Sequence, residues 1–265
     1  LADIADVGAR FLNSMMLKSA DTFFVDHALN TAVLAIIIRK QYKYNATELK
    51  TLATGCFLHD IGKLILEKMP EYDESGSSQF YREHPTFGYL LLKSDSYVSP
   101  METQIVNQHH ENQDGSGFPI GLKGRNQAPL KTSSKDTKGY IFRLAEICSV
   151  ANAYDNFVLN PKTGEKLQPQ DVLKTLMENA ESVYNRDIVQ TMSQIVAVYP
   201  VGSYVKIVSI VDPSLIGSFG VVAKVNKDNL ARPIIIITTN KYRKKIKPIM
   251  LDTSKLKQVE LELII

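Results

Sequence analysis

Histidine placement constrains this chain more than any other feature of its sequence. All five histidines keep one kind of company. His59 stands beside Asp60 in the string Phe57-Leu58-His59-Asp60-Ile61-Gly62-Lys63. His109 and His110 open the string His109-His110-Glu111-Asn112-Gln113-Asp114-Gly115-Ser116-Gly117-Phe118-Pro119. His27 and His84 stand near acidic or polar neighbours. Imidazole nitrogens and carboxylates are the side-chain donors that transition metals take. Metal ligands must converge, so a fold for this sequence has to bring these distant segments to one place.

The two adjacent pairs say more. Neighbouring residues on a helix point about 100° apart. On that geometry His59 and Asp60 reach two neighbouring metals, or one metal and its bridge, and hardly chelate one metal side by side. The same holds for His109 and His110, so the pattern favours two ions over a single zinc. A donor set rich in nitrogen, with little carboxylate and no thiolate, suits iron, manganese or zinc better than magnesium or calcium.

Apolar spacing predicts helices over about 22–40, with Asp21 as its cap, and 47–60, capped by Thr47 and stopped near Gly62. Further helices are expected from His84-Pro85 to Leu92, from Pro100 to His109-His110, and over about 140–157, 169–180 and 184–198. A long Gly-, Pro- and Ser-rich loop fills 112–139. After Tyr199-Pro200-Val201-Gly202 the period changes to that of strands: Ser203–Val211, Gly220–Val225, Pro233–Thr239 and Val259–Ile265. The expected organisation is a helical domain, 1–199, followed by a small β extension, 200–265. The basic run Lys241-Tyr242-Arg243-Lys244-Lys245-Ile246-Lys247 reads as a solvated hairpin end, and no nucleic acid polymer is expected as a partner. Hydrophobic content of 44% allows a sizeable core, and a net charge of +3 suits a polyanionic ligand without demanding one. Cys56 and Cys148 lie in apolar helical runs and read as buried free thiols, which fits a cytoplasmic place. The longest apolar run, Ala32 to Ile38, is too short to span a bilayer. Because the chain opens on Leu1, it is expected to be an excerpt with room upstream for a sensor domain or anchor.

These motifs resemble those of HD-GYP domains, the cyclic di-GMP phosphodiesterase branch of the HD metallohydrolase superfamily. The resemblance runs from about residue 20 to 200. It rests on HDIGK at 59–63, HPTFG at 84–88, HHExxDGxGFP at 109–119 and the string Ala145-Glu146-Ile147 to Ala153-Tyr154-Asp155. It implies a mainly helical HD bundle and two transition-metal ions, iron or manganese first and zinc next. The implied ligands are His27, His59, Asp60, His84, His109, His110 and Asn152, with Asp60 bridging. Lys63 is implied to hold a substrate phosphate and to steady its charge during hydrolysis of cyclic di-GMP. Phe118 would edge the site, in a loop that also meets signalling partners such as diguanylate cyclases.

Two departures stand out. Asn152 occupies the place of a family aspartate, with Asp155 one turn further on as an alternative donor. The family's Arg-Pro-Tyr-Arg string is missing: Pro161 stands at its arginine, leaving Lys162 as the cation, with Lys123, Arg125 or Lys131 to compensate. Phe23 replaces the glutamate of a third metal site, so none is expected. The GFP string keeps the ring of GYP and loses its hydroxyl. Alternative readings are a module that binds metal and nucleotide but signals with little turnover, and an HD phosphohydrolase for another nucleotide.

Overall fold

A computed structural model describes residues 23–39, 42, 44–66, 68, 79–129, 139–159, 164, 166–196, 199, 201–226 and 229–264. Two compact units emerge, one helical and one built on the chain from Ser193 onward. The fold is mainly α with a C-terminal β extension, as the sequence predicts, and the strands of that extension form one antiparallel sheet.

The helical unit starts with α1 (Phe23–Arg39) and α2 (Ala46–Leu58). On α1 the small residues Ala28, Ala32 and Ala35 are buried together with Leu34 and Ile38. The cap of α2 is Asn45 and not Thr47. Its side chain accepts from Glu48 N at 2.9 Å, and the Glu48 carboxylate accepts from Asn45 N at 3.1 Å. This reciprocal capping box satisfies two donors at once, which a lone threonine two residues later does not.

Gly62 does not end the helical path. The chain turns through Ile61 and Gly62 and continues as α3 (Lys63–Leu66). The glycine is needed for a different reason: a Cβ there would run into the His84 carbonyl and stand 2.7 Å from Gly88 N. Two backbones touch at this point, which seats α4 (His84–Leu92) directly under the turn that carries His59 and Asp60. Next comes α5 (Pro100–Gln108), capped by Ser99 with Glu102 completing a second capping box. Helix α6 (Arg143–Val158) runs through the core; Leu144, Ile147, Val150 and Ala151 have no exposed surface. Helices α7 (Pro169–Glu178) and α8 (Arg186–Ser193) complete the helices of this unit among the described residues. No helix among them is long and apolar enough to cross a membrane.

The second unit is a five-stranded antiparallel sheet: β1 (Tyr204–Ile210), β2 (Phe219–Lys224), β3 (Ile234–Thr239), β4 (Lys245–Asp252) and β5 (Val259–Ile264), in the order β4-β3-β2-β1-β5. Its core gathers Val205, Ile207, Val222, Ile235, Ile237 and Leu261 around Tyr199. Strand β4 is the one that the sequence pattern does not reveal. It begins inside the basic run and contains Pro248. An edge position explains both: lysines and a proline are tolerated where one side of the strand makes no ladder.

Candidate metal centre

Three histidines are aimed by the same local device. The ring Nδ1 of His59 bonds Cys56 O at 2.6 Å, that of His84 bonds Tyr81 O at 2.6 Å, and that of His109 bonds Val106 O at 2.8 Å. Each carbonyl lies three residues upstream, at a helix end or in the 3-10 segment Gln79–Glu83, where backbone oxygens lack helical partners. Because a carbonyl only accepts, Nδ1 must carry the proton and Nε2 keeps its lone pair. His27 is fixed differently, with its Nδ1 2.6 Å from Asp155 Oδ2.

The Nε2 atoms converge on Asp60. Oδ2 lies 3.4 Å from His59 Nε2 and 3.6 Å from His27 Nε2, while Oδ1 lies 3.2 Å from His84 Nε2 and 3.7 Å from His109 Nε2. Two donor groups result: Asp60 with His84, His109 and His110, and Asp60 with His27 and His59. Within each, the donor atoms all lie within 4.8 Å of one another. Asp60 belongs to both groups and His59 to one, which fits the expectation of one metal and its bridge; only His109 and His110, adjacent donors in a single group, depart from it. All four come after the last helical residues Leu58 and Gln108, in the turns that close α2 and α5.

A cation fits this constellation on physical grounds. His84 Nε2 and His109 Nε2 are 3.2 Å apart with both Nδ1 atoms bonded to carbonyls. A proton between them requires an imidazolium, yet burial, with His110 beside it, holds His109 well below its usual pKa. Burial also takes His59 down to about 4 and depresses His110. His110 Nε2 is buried with no hydrogen bond among the described residues. Burial pushes the Asp60 carboxyl up, but the Lys63 ammonium and the rings around it outweigh this and hold it well below the usual carboxylate range. The lone pairs of His59, His109 and His110 beside an ionised Asp60 form a cluster that could hold a metal ion.

Among the other expected residues, Lys63 Nζ bonds Asp60 Oδ2 at 2.5 Å and lies 5.4 Å from the Tyr81 ring centroid. Phe118 does not sink into the core. It is half-buried and stacks on His110, with centroids 4.6 Å apart and planes at 18°. Asn152 is buried on α6, and its Oδ1 accepts from Asn156 Nδ2 at 2.7 Å. Asp155, the alternative donor, serves as the anchor of His27. Arg125 lies over the Tyr140 ring at 4.0 Å. Lys162 and Lys131, like the Asp21 cap, fall outside the described residues.

Sequence reasoning passed over Tyr81, Arg82 and Glu111. Glu111 follows two donors yet is no donor itself. Its buried carboxylate accepts from the backbone N–H groups of Ile120, Gly121 and Leu122 at 2.7–3.2 Å, fastening the loop that carries Phe118. A glutamate inside a glycine-rich string was the available signal.

Comparison with known proteins agrees with this architecture. Residues 12–130 match a family model described as HD domain. A cyclic di-GMP phosphodiesterase of Pseudomonas aeruginosa is 23% identical over 227 residues, 84% of this chain and 49% of the relative. The 3'3'-cGAMP-specific phosphodiesterase 3 of Vibrio cholerae is 28% identical over 41% of this chain and 24% of its own length. Among solved structures, an HDGYP protein from Bdellovibrio bacteriovorus shares the fold with a TM-score of 0.50 at 20% identity, covering 72% of this chain and 61% of that one. The chain spans about half the length of these curated relatives, or less.

Proposed function

We propose that this chain, an HD-domain protein of the HD-GYP kind, is a metal-dependent phosphodiesterase that hydrolyses cyclic di-GMP. The observation that carries the reading is the pair of donor groups sharing Asp60. Their nitrogen-rich chemistry favours iron or manganese, with zinc next. His27, His59, Asp60, His84, His109 and His110 would hold two ions, and Asn152 would add a neutral oxygen donor. Bound there, such ions polarise a phosphodiester and lower the pKa of a water molecule.

The chain's own groups do the rest. The buried imidazoles surround Asp60 and exclude bulk water, and those of His59, His109 and His110 are kept neutral by burial. Asp60 stays ionised and links the two halves. Lys63, held at the same carboxylate, is the cation at hand for a phosphoryl oxygen, where its charge counts most as negative charge develops. Relatives named for cyclic di-GMP and for 3'3'-cGAMP support the broader class, cyclic dinucleotides.

The test is hydrolysis of cyclic di-GMP by protein loaded anaerobically with iron or manganese, with elemental analysis alongside. About two ions per chain and a linear dinucleotide or GMP product are expected. Asp60→Asn should lose both ions together. Lys63→Ala should keep them and lose about 2.7–4 kcal/mol of transition-state stabilisation, on the scale of an oxyanion donor. Fully loaded protein that leaves cyclic dinucleotides intact would overturn the enzyme reading. A second reading, a receptor with little turnover, draws on Asn152: its neutral amide, already engaged by Asn156, gives one half of the site a weaker hold.

A further inference from the structure

One cation at the rim of the metal cluster has no part in the mechanism above. The 3-10 segment Gln79–Glu83 sets Tyr81 and Arg82 immediately before His84. Tyr81 is bound into the cluster. Its carbonyl accepts from His84 Nδ1, and its ring centroid lies 5.1 Å from that of His84 and 6.3 Å from that of His110. Arg82 is exposed, and its guanidinium carbon stands 4.8 Å from the Phe118 centroid. Phe118 in turn stacks on His110. The guanidinium is therefore a single aromatic ring away from an imidazole of the cluster. Among the described residues no carboxylate pairs with it, whereas Lys63 is bonded to Asp60.

We propose that Arg82 binds the phosphate of a cyclic dinucleotide that is not being cleaved. This rests on the reading of the site as a cyclic-dinucleotide phosphodiesterase. Such a ligand carries two phosphodiesters in one ring. When one lies at Asp60 and Lys63, the other projects away from the metals towards the rim. A guanidinium presents paired N–H donors that match two phosphate oxygens, which an ammonium does not. Stacking on Phe118 fixes its plane before the ligand arrives and so reduces the entropy lost on binding. Arg125, by contrast, is engaged over Tyr140. Arg82 thus sets which phosphodiesters are held well, selecting those that carry a second phosphate.

The experiment uses manganese-loaded full chain, wild type, Arg82→Ala and Arg82→Lys. Three diesters are compared: cyclic di-GMP, the linear GpG with two guanines and one phosphate, and bis(p-nitrophenyl) phosphate. Affinity is measured by titration, KM and kcat by hydrolysis, and metal content by elemental analysis. Arg82→Ala should weaken cyclic di-GMP relative to GpG by about ten- to a hundred-fold, the range for a charge-assisted pair. The loss should appear in Kd and KM, with Arg82→Lys between. An equal loss for GpG would overturn the assignment, since the arginine would then be reading guanine. No loss for cyclic di-GMP would overturn it as well. If wild-type protein cleaves bis(p-nitrophenyl) phosphate yet neither binds nor cleaves cyclic di-GMP, the proposed function itself fails, and the wild type alone reveals that.

Discussion

Around Asp60, single atoms decide what the protein can hold. Four imidazole nitrogens lie within 3.7 Å of its two oxygens, and Lys63 is bonded to one of them at 2.5 Å. The two donor groups are unequal. One offers three imidazoles with Asp60 and the other offers two. Asn152, one turn before the Asp155 that anchors His27, is the position we propose as a further donor to the poorer half. Asn152→Asp adds a charge at a buried site, and Asn156 Nδ2 can still donate to the new carboxylate. Metal affinity of that half is expected to rise about ten- to a hundred-fold, the range for changing a group next to metal ligands. Competitive titration with a chelator measures it. Unchanged affinity at both sites would remove Asn152 from the donor set.

The elements matter through their ends. The histidine pair 109–110 and the HD string sit just past a helix terminus, where carbonyls of the last turn set the tautomer of His109 and His59. The loop after His110 is fastened by Glu111, and further along Gln113 ties it to α6. Gln113 Nε2 donates to Glu146 Oε1 at 2.8 Å, and Asn185 Nδ2 donates to the same oxygen at 3.1 Å. Burial nonetheless pushes the Glu146 carboxyl up to about 7. The sign follows from linkage. The folded protein holds this proton more tightly than the unfolded chain does, so stability is full below about pH 4.5 and falls as pH rises through 7. The loss is about 3 kcal/mol. Glu146→Gln keeps an acceptor oxygen and removes the titration. Urea unfolding at pH 5 and pH 8 should show the variant gaining about 2 kcal/mol on the wild type between the two. Parallel stabilities would mean that the carboxyl titrates normally in the fold.

At the scale of the whole molecule, two cores coexist: α1, α2 and α6 enclose one, and the sheet encloses the other around Tyr199. The candidate metal centre belongs to the helical core. A ligand that binds only the folded state adds about 2.7 kcal/mol when present at a hundred times its Kd. Stripping metal with a chelator should therefore lower the thermal midpoint followed by circular dichroism at 222 nm, and adding manganese back should restore it. A midpoint indifferent to metal would mean that the cluster is equally content without a cation.

The sequence by itself determined the donor types and their company, because a transition-metal site needs imidazole and carboxylate whatever the fold. It also determined the change from helix to strand after Tyr199, because periodicity is local. Tertiary structure decided the rest. The close contact of Gly62 with His84, the Asn45 cap, the edge strand β4, the grouping of adjacent donors and the layering of Arg82, Phe118 and His110 depend on segments far apart in the chain. Spacing along a sequence fixes directions only while a helix lasts. His59, Asp60, His109 and His110 follow the ends of α2 and α5, while His27 lies within α1 and His84 opens α4, so the packing of these segments, and not residue order, brings their donor atoms together.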